Sequence, residues 1–186
     1  MQKETDMKFE DVLHNGRLWA VVYEGENQNV LNKTFADWMD IGVLRAFFDS
    51  NIKDLEQYFH ITNVDEAIYD TIADAATLAC VILDINPDAN LDLVFRPLEN
   101  HRIHEMLLSR EKAKGHRQSG HGSWLRIYAL KLDSGVYLAT GGAIKLTPSM
   151  AEREHTLNEL KRMEKVRNFL LENGIMDADG IMEDTR

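Results

Sequence analysis

Apolar positions recur along the chain in alternating strand and helix rhythms. Leu18-Trp19-Ala20-Val21-Val22-Tyr23 is a run of strand-forming residues closed by Glu24-Gly25, and it predicts the first strand. Behind Thr34, a residue type suited to capping, Phe35, Trp38, Met39, Leu44, Phe47 and Phe48 recur at near-helical spacing, and the pattern continues through Leu55 and Phe59. A second helix begins at Asn63, with Glu66 placed as in a capping box. Ile68, Ile72, Leu78 and Ile82 form its buried stripe until Asn86-Pro87 stops it.

Residues 91–96 alternate imperfectly and run into Pro97, which predicts a short strand at a sheet edge or end, since proline lacks a ladder donor. Residues 98–123 break the rhythm and read as a partly helical insertion that ends in a mobile loop. Strand patterning returns over 124–132 and 136–144, on either side of the hairpin connection Asp133-Ser134-Gly135. Pro148 and a Ser149…Glu152 capping box then predict a long helix, with Gly174 as its stop. Leu157, Leu160, Met163, Val166 and Leu170 give this helix an apolar stripe that must lie on the sheet or on another chain.

The fold class that follows is α+β, with an N-terminal strand and helix pair packed on a small, mainly antiparallel sheet and a long C-terminal helix. One domain spans 1–147 and includes the insertion at 98–123. The helix occupies 148–174, and the acidic tail 175–186 is expected to fray.

Charge and composition narrow the function. At 186 residues and 44% hydrophobic content the chain can bury a core without disulfides, and no apolar run approaches the roughly 20 residues that span a bilayer. Residues 1–10 lack the apolar stretch of a secretory signal, and the single cysteine, Cys80, sits in a helical pattern as a buried small residue. A soluble protein of the reducing cytoplasm is therefore expected. The net charge of −10 excludes a chain that coats nucleic acid with its whole surface. The distribution is uneven, however: residues 35–100 carry a net −10, whereas residues 101–131 carry +5 and four histidines. That reversal fits a localised anion site or a solvated basic loop.

Three segments in order carry a resemblance. Leu93-Val94-Phe95-Arg96-Pro97 is a strand ending in arginine, and Trp124-Leu125-Arg126-Ile127-Tyr128 contains an Arg-x-Tyr element. Val136 to Pro148 is a final strand running into Lys145-Leu146-Thr147-Pro148 before a closing helix. This ordered set resembles the RelE/HigB-like superfamily of bacterial toxins over roughly residues 17–172. The resemblance implies cleavage of messenger RNA without metal or other cofactor, often on the ribosome, restrained by a cognate antitoxin protein. It implies that Arg96 and Arg126 face the phosphate from neighbouring strands, with Lys145 at the end of a third. Typical members are shorter and basic; this chain is acidic and carries the insertion.

The implied chemistry asks little of a protein. A ribose 2′-hydroxyl attacks its own 3′-phosphate, so the site must remove one proton, stabilise a phosphorane and protonate the leaving oxygen. Arginine suits the middle task, because its charge is permanent and its planar fork grips two phosphate oxygens. Alternation puts Arg126 and Tyr128 on one strand face, together with Trp124. His116 and His121 have a suitable intrinsic pKa range for the proton acceptor, and Lys112 or Lys114 serves if its pKa is depressed. Lys112, Lys114 and Arg117 are the candidate substrate-binding cations. His101 and His104 stand three apart without companion ligands, so no metal site is expected. A rival reading is a non-catalytic interaction module on the same fold, which uses the basic segment for an acidic partner and the C-terminal helix for a homodimer.

Overall fold

The structure is a computed structural model that describes residues 7–84, 86, 89–98, 108–115 and 120–185. Its strands are β1 (Lys8–Asp11), β2 (Leu18–Val22), β3 (Phe95–Pro97), β4 (Arg110–Lys114), β5 (Leu125–Asp133) and β6 (Val136–Ile144). They form one sheet in the order β1-β2-β6-β5-β4-β3, antiparallel throughout except for the parallel pairing of β2 with β6. The expected α+β class and mainly antiparallel sheet are thus found. The first strand is not Leu18–Val22 but the short β1 before it. Phe9 and Met7 are buried there, and the turn is held by Asp11, which accepts from the Gly16 amide at 2.8 Å.

Helices lie on both faces. On one face are α1 (Val30–Met39), α2 (Ile41–Ser50), α3 (Ile52–Phe59) and α4 (Val64–Leu83). The single long helix expected from Thr34 to Phe59 is three helices. Asn29, rather than Thr34, caps the first; Asp40 ends it in extended backbone and caps the next by accepting from the Val43 amide at 3.0 Å. Thr34 is a buried residue inside α1. Asn63 caps α4 as expected, through the Asp65 amide. Phe48, Phe59 and Trp124 meet edge to face in the core, and the Trp124 indole donates to Thr71 of α4 at 2.9 Å. Trp124 therefore turns toward the helices, not onto the face of Arg126 and Tyr128.

The opposite face is covered by α5 (Glu154–Glu172). The Ser149–Glu152 capping box is present, but it closes a 3₁₀ turn, Met150–Glu152, two residues before α5 starts. Met163, Val166 and Leu170 of the stripe are buried against the chain's own sheet, while Leu157 and Leu160 are half-buried. The tail is ordered: Asp177 caps α6 (Ala178–Asp184), which buries Ile181, and Asp133 accepts from the Ala178 amide. Cys80 is exposed rather than buried. Among the described residues no helix is long and apolar enough to cross a membrane.

The insertion supplies the largest departure. Residues expected to be helical and looped contain β4, which slots between β3 and β5 with Lys112 opposite Tyr128 and Lys114 opposite Arg126. Its alternation is that of a half-buried strand, with Glu111 and Ala113 buried and Lys112 and Lys114 more open.

Candidate functional site

Residues directly opposite in an antiparallel ladder project from the same face. The register therefore gathers Lys112 and Lys114 of β4 with Arg126 and Tyr128 of β5 on the face that α5 covers only in part. Lys145, just past β6, is held over the same place because its ammonium donates to the carbonyls of Thr147 at 2.7 Å and Pro148 at 2.6 Å. These five residues line a cleft of about 580 Å³ whose remaining wall includes Leu98, Pro148, Met150 and Leu160.

Electrostatically the cleft is one-sided. Lys112, Lys114, Arg126 and Lys145 make no ion pair with a carboxylate among the described residues, whereas Arg110, Arg153 and Lys131 nearby are each paired. Burial lowers the pKa of Lys112, and repulsion from Arg126 and Lys114 lowers it further. Lys114 is lowered by burial and Arg126, and Lys145 by burial, Arg126, Lys112 and Lys114 against a partial offset from Glu152. Burial also lowers Arg126, whose Nη1 donates to the carbonyls of Ser123 and Leu125, each at 2.8 Å. Guanidinium nevertheless remains charged at any physiological pH. Four cations held together in partial burial repel one another, and a multivalent anion relieves that repulsion.

Beside the cleft lies a second unusual group. The Glu159 carboxyl of α5 stands directly over Gly141, the cross-strand partner of Tyr128; a Cβ at position 141 would be 1.9 Å from Glu159 Oε2. Glu159 Oε1 accepts from Arg162 at 3.3 Å, but Oε2 and the Tyr128 hydroxyl are buried with no hydrogen-bond partner among the described residues. Burial pushes the Glu159 carboxyl up to about 7, against the opposing pull of Arg162. It pushes the Tyr128 phenol above its ordinary range as well, with Arg126 pulling it down and Glu159 pushing it up.

Of the residues singled out from sequence, Arg126, Lys145, Tyr128, Lys112 and Lys114 come together. Arg96 is the cross-strand partner of Lys112 but does not line the cleft. It lies on β3, with β4 between it and the strand of Arg126, and its exposed guanidinium turns back to donate to the Asp92 carbonyl at 3.2 Å. The expectation that Arg96 and Arg126 stand on neighbouring strands fails because the insertion contributes β4.

His121 is also elsewhere. Its Nε2 pairs with Asp70 of α4 at 2.9 Å, its ring stacks on Trp124 at 4.2 Å and meets Phe59 edge on, all on the helical side of the sheet. His155 contacts the Ile144 carbonyl and Phe47, away from the cleft lining. His116, Arg117, His101 and His104 lie outside the described residues. Among the described residues no group of three or more side chains is placed to hold a metal ion.

Sequence reasoning missed Glu159, although a signal existed. It precedes Met163 by four residues and Val166 by seven, which puts a carboxyl on the buried stripe of α5. Gly141 admits the close approach of the Glu159 carboxyl, and Gly142 that of Thr34 Cγ2, the Arg126 carbonyl and Ile127 Cδ1. No family model, curated protein or solved structure is found to match this chain.

Proposed function

We propose that this chain is a toxin-like endoribonuclease that cleaves messenger RNA without a metal, with the cleft between β4, β5 and Lys145 as its phosphate site. The observation that supports this reading is the gathering of Lys112, Lys114, Arg126 and Lys145 along one cleft, with no ion pair to a carboxylate among the described residues. Arg126 is fixed by two backbone carbonyls and carries permanent charge, so it stabilises the phosphorane. Lys112, whose pKa burial and its cationic neighbours lower, takes the proton from the ribose 2′-hydroxyl in its neutral amine form, which leaves Lys114, Arg126 and Lys145 as the cations on the phosphate. Lys145 donates to the leaving oxygen, and Tyr128 forms the floor. Encounter on the ribosome and restraint by an antitoxin protein belong to the same reading.

The test compares the wild-type chain with Arg126→Ala. Expression of the wild type is expected to arrest growth, and the purified protein to cut messenger RNA on translating ribosomes. Arg126→Ala is expected to lose both effects. Equal inactivity of the two proteins in both assays overturns the proposal.

A further inference from the structure

A second groove of about 620 Å³ runs along the outer face of α5 and shares two wall residues, Arg110 and Leu160, with the cationic cleft. The two therefore adjoin at that wall. Beyond the shared wall the groove is lined by Lys161, Glu164, Lys165, Asn168, Phe169 and Glu172. Lys161 and Lys165 are exposed and stand one helical turn apart, about 6 Å along the axis. Glu164 is engaged by Arg110 at 3.2 Å, which leaves Glu172 as the carboxylate at the far end. Phe169 is half-buried in the groove and its ring packs on Phe9 at 6.1 Å, so its orientation is fixed.

Two exposed lysines beside a fixed aromatic are a combination that holds single-stranded nucleic acid: the charges follow the phosphates and a ring stacks a base without reading its identity. We infer that the α5 groove is a second subsite for single-stranded RNA, which seats the nucleotides that flank the phosphate held in the cleft. This inference rests on the reading of the cleft as an RNA-phosphate site. It adds that the substrate is an extended strand rather than a mononucleotide or dinucleotide. A small phosphate ester fills the cleft alone, whereas a strand crosses the Arg110–Leu160 boundary and gains contacts with Lys161, Lys165 and Phe169.

The probes are non-cleavable 2′-O-methyl oligouridylates of two, four and eight nucleotides, titrated against wild type, Lys161→Ala/Lys165→Ala, Phe169→Leu and Arg126→Ala. For wild type, affinity is expected to rise at least tenfold from two to eight nucleotides. Lys161→Ala/Lys165→Ala is expected to remove most of that gain, to flatten the salt dependence for the eight-mer and to leave dinucleotide affinity unchanged. Both lysines are exposed, so this variant keeps its fold. Phe169→Leu is expected to weaken the eight-mer alone by several-fold. If affinity does not grow with length, or grows equally in wild type and the double variant, the α5 subsite is overturned; loss of dinucleotide binding in Arg126→Ala still supports the cleft. If no probe binds any protein, both readings fall.

Discussion

Lys114 and Arg126 are direct cross-strand partners, two like charges facing each other on adjacent strands, and neither is paired with a carboxylate among the described residues. Like charges in that position destabilise a sheet by roughly 0.2–1 kcal/mol. Removing one should therefore stabilise the free protein. Lys114→Gln is expected to raise the unfolding free energy by that amount in denaturant titrations at low salt, with a smaller gain at high salt. The same variant is expected to weaken RNA binding and to flatten its log-log salt dependence by about 0.7, the share of one phosphate contact to a single strand. A variant that is neither more stable nor weaker in binding removes the case for a cleft strained toward an anion.

Burial of Glu159 makes stability depend on pH in a defined sense. Its folded pKa of about 7 lies above the ordinary 4.5, so the folded state holds the proton more tightly than the unfolded chain. The contribution of this one group is full below about pH 4.5 and is lost as pH rises through 7, by on the order of 3 kcal/mol. Glu159→Gln has no such titration. Between pH 4.5 and 8 the stability difference between the proteins should shift by that amount in favour of the variant. Parallel curves over this range would show that Glu159 titrates normally.

Gly141 and Glu159 should be energetically coupled. A methyl at position 141 meets Glu159 Oε2 at 1.9 Å and Cδ at 3.0 Å, so the carboxyl must leave its place. Gly141→Ala is expected to cost about 1–3 kcal/mol in the wild type and much less in Glu159→Ala, where the space is open. Gly142→Ala should be costly in both, because there the methyl meets Thr34 Cγ2 at 2.7 Å and the Arg126 carbonyl at 3.0 Å. Additive costs for Gly141→Ala and Glu159→Ala in a double-mutant cycle would contradict the contact.

His121 is expected to matter for stability and not for RNA. His121→Ala removes the Asp70 hydrogen bond and the stack on Trp124. A loss of about 1–3 kcal/mol should follow, with RNA affinity and cleavage per folded molecule unchanged. A specific fall in cleavage rate with intact stability would return His121 to the list of proton acceptors.

The sequence by itself determined whatever rests on local rules. The β5–β6 hairpin, the Asn63 cap and the stop at Gly174 each follow from backbone preferences of a few adjacent residues, whereas of the strand expected over 91–96 only the end at Phe95–Pro97 forms and Leu91–Leu93 is a 3₁₀ turn. It also located the basic segment, because charge is additive along a chain. Alternation put Arg126 and Tyr128 on one face correctly.

Only the tertiary structure decided where the charges meet. That Lys112 and Lys114 belong to a strand depends on pairing with β3 and β5, which no local propensity in that segment announces. Inserting that strand separates Arg96 from Arg126, and burial against the helices removes His121 from the cleft. Glu159 needed both the sheet beneath it and a glycine opposite before its carboxyl acquired unusual chemistry. Proximity, burial and mutual repulsion arise between residues far apart in the chain, so they come into being only when the sheet closes.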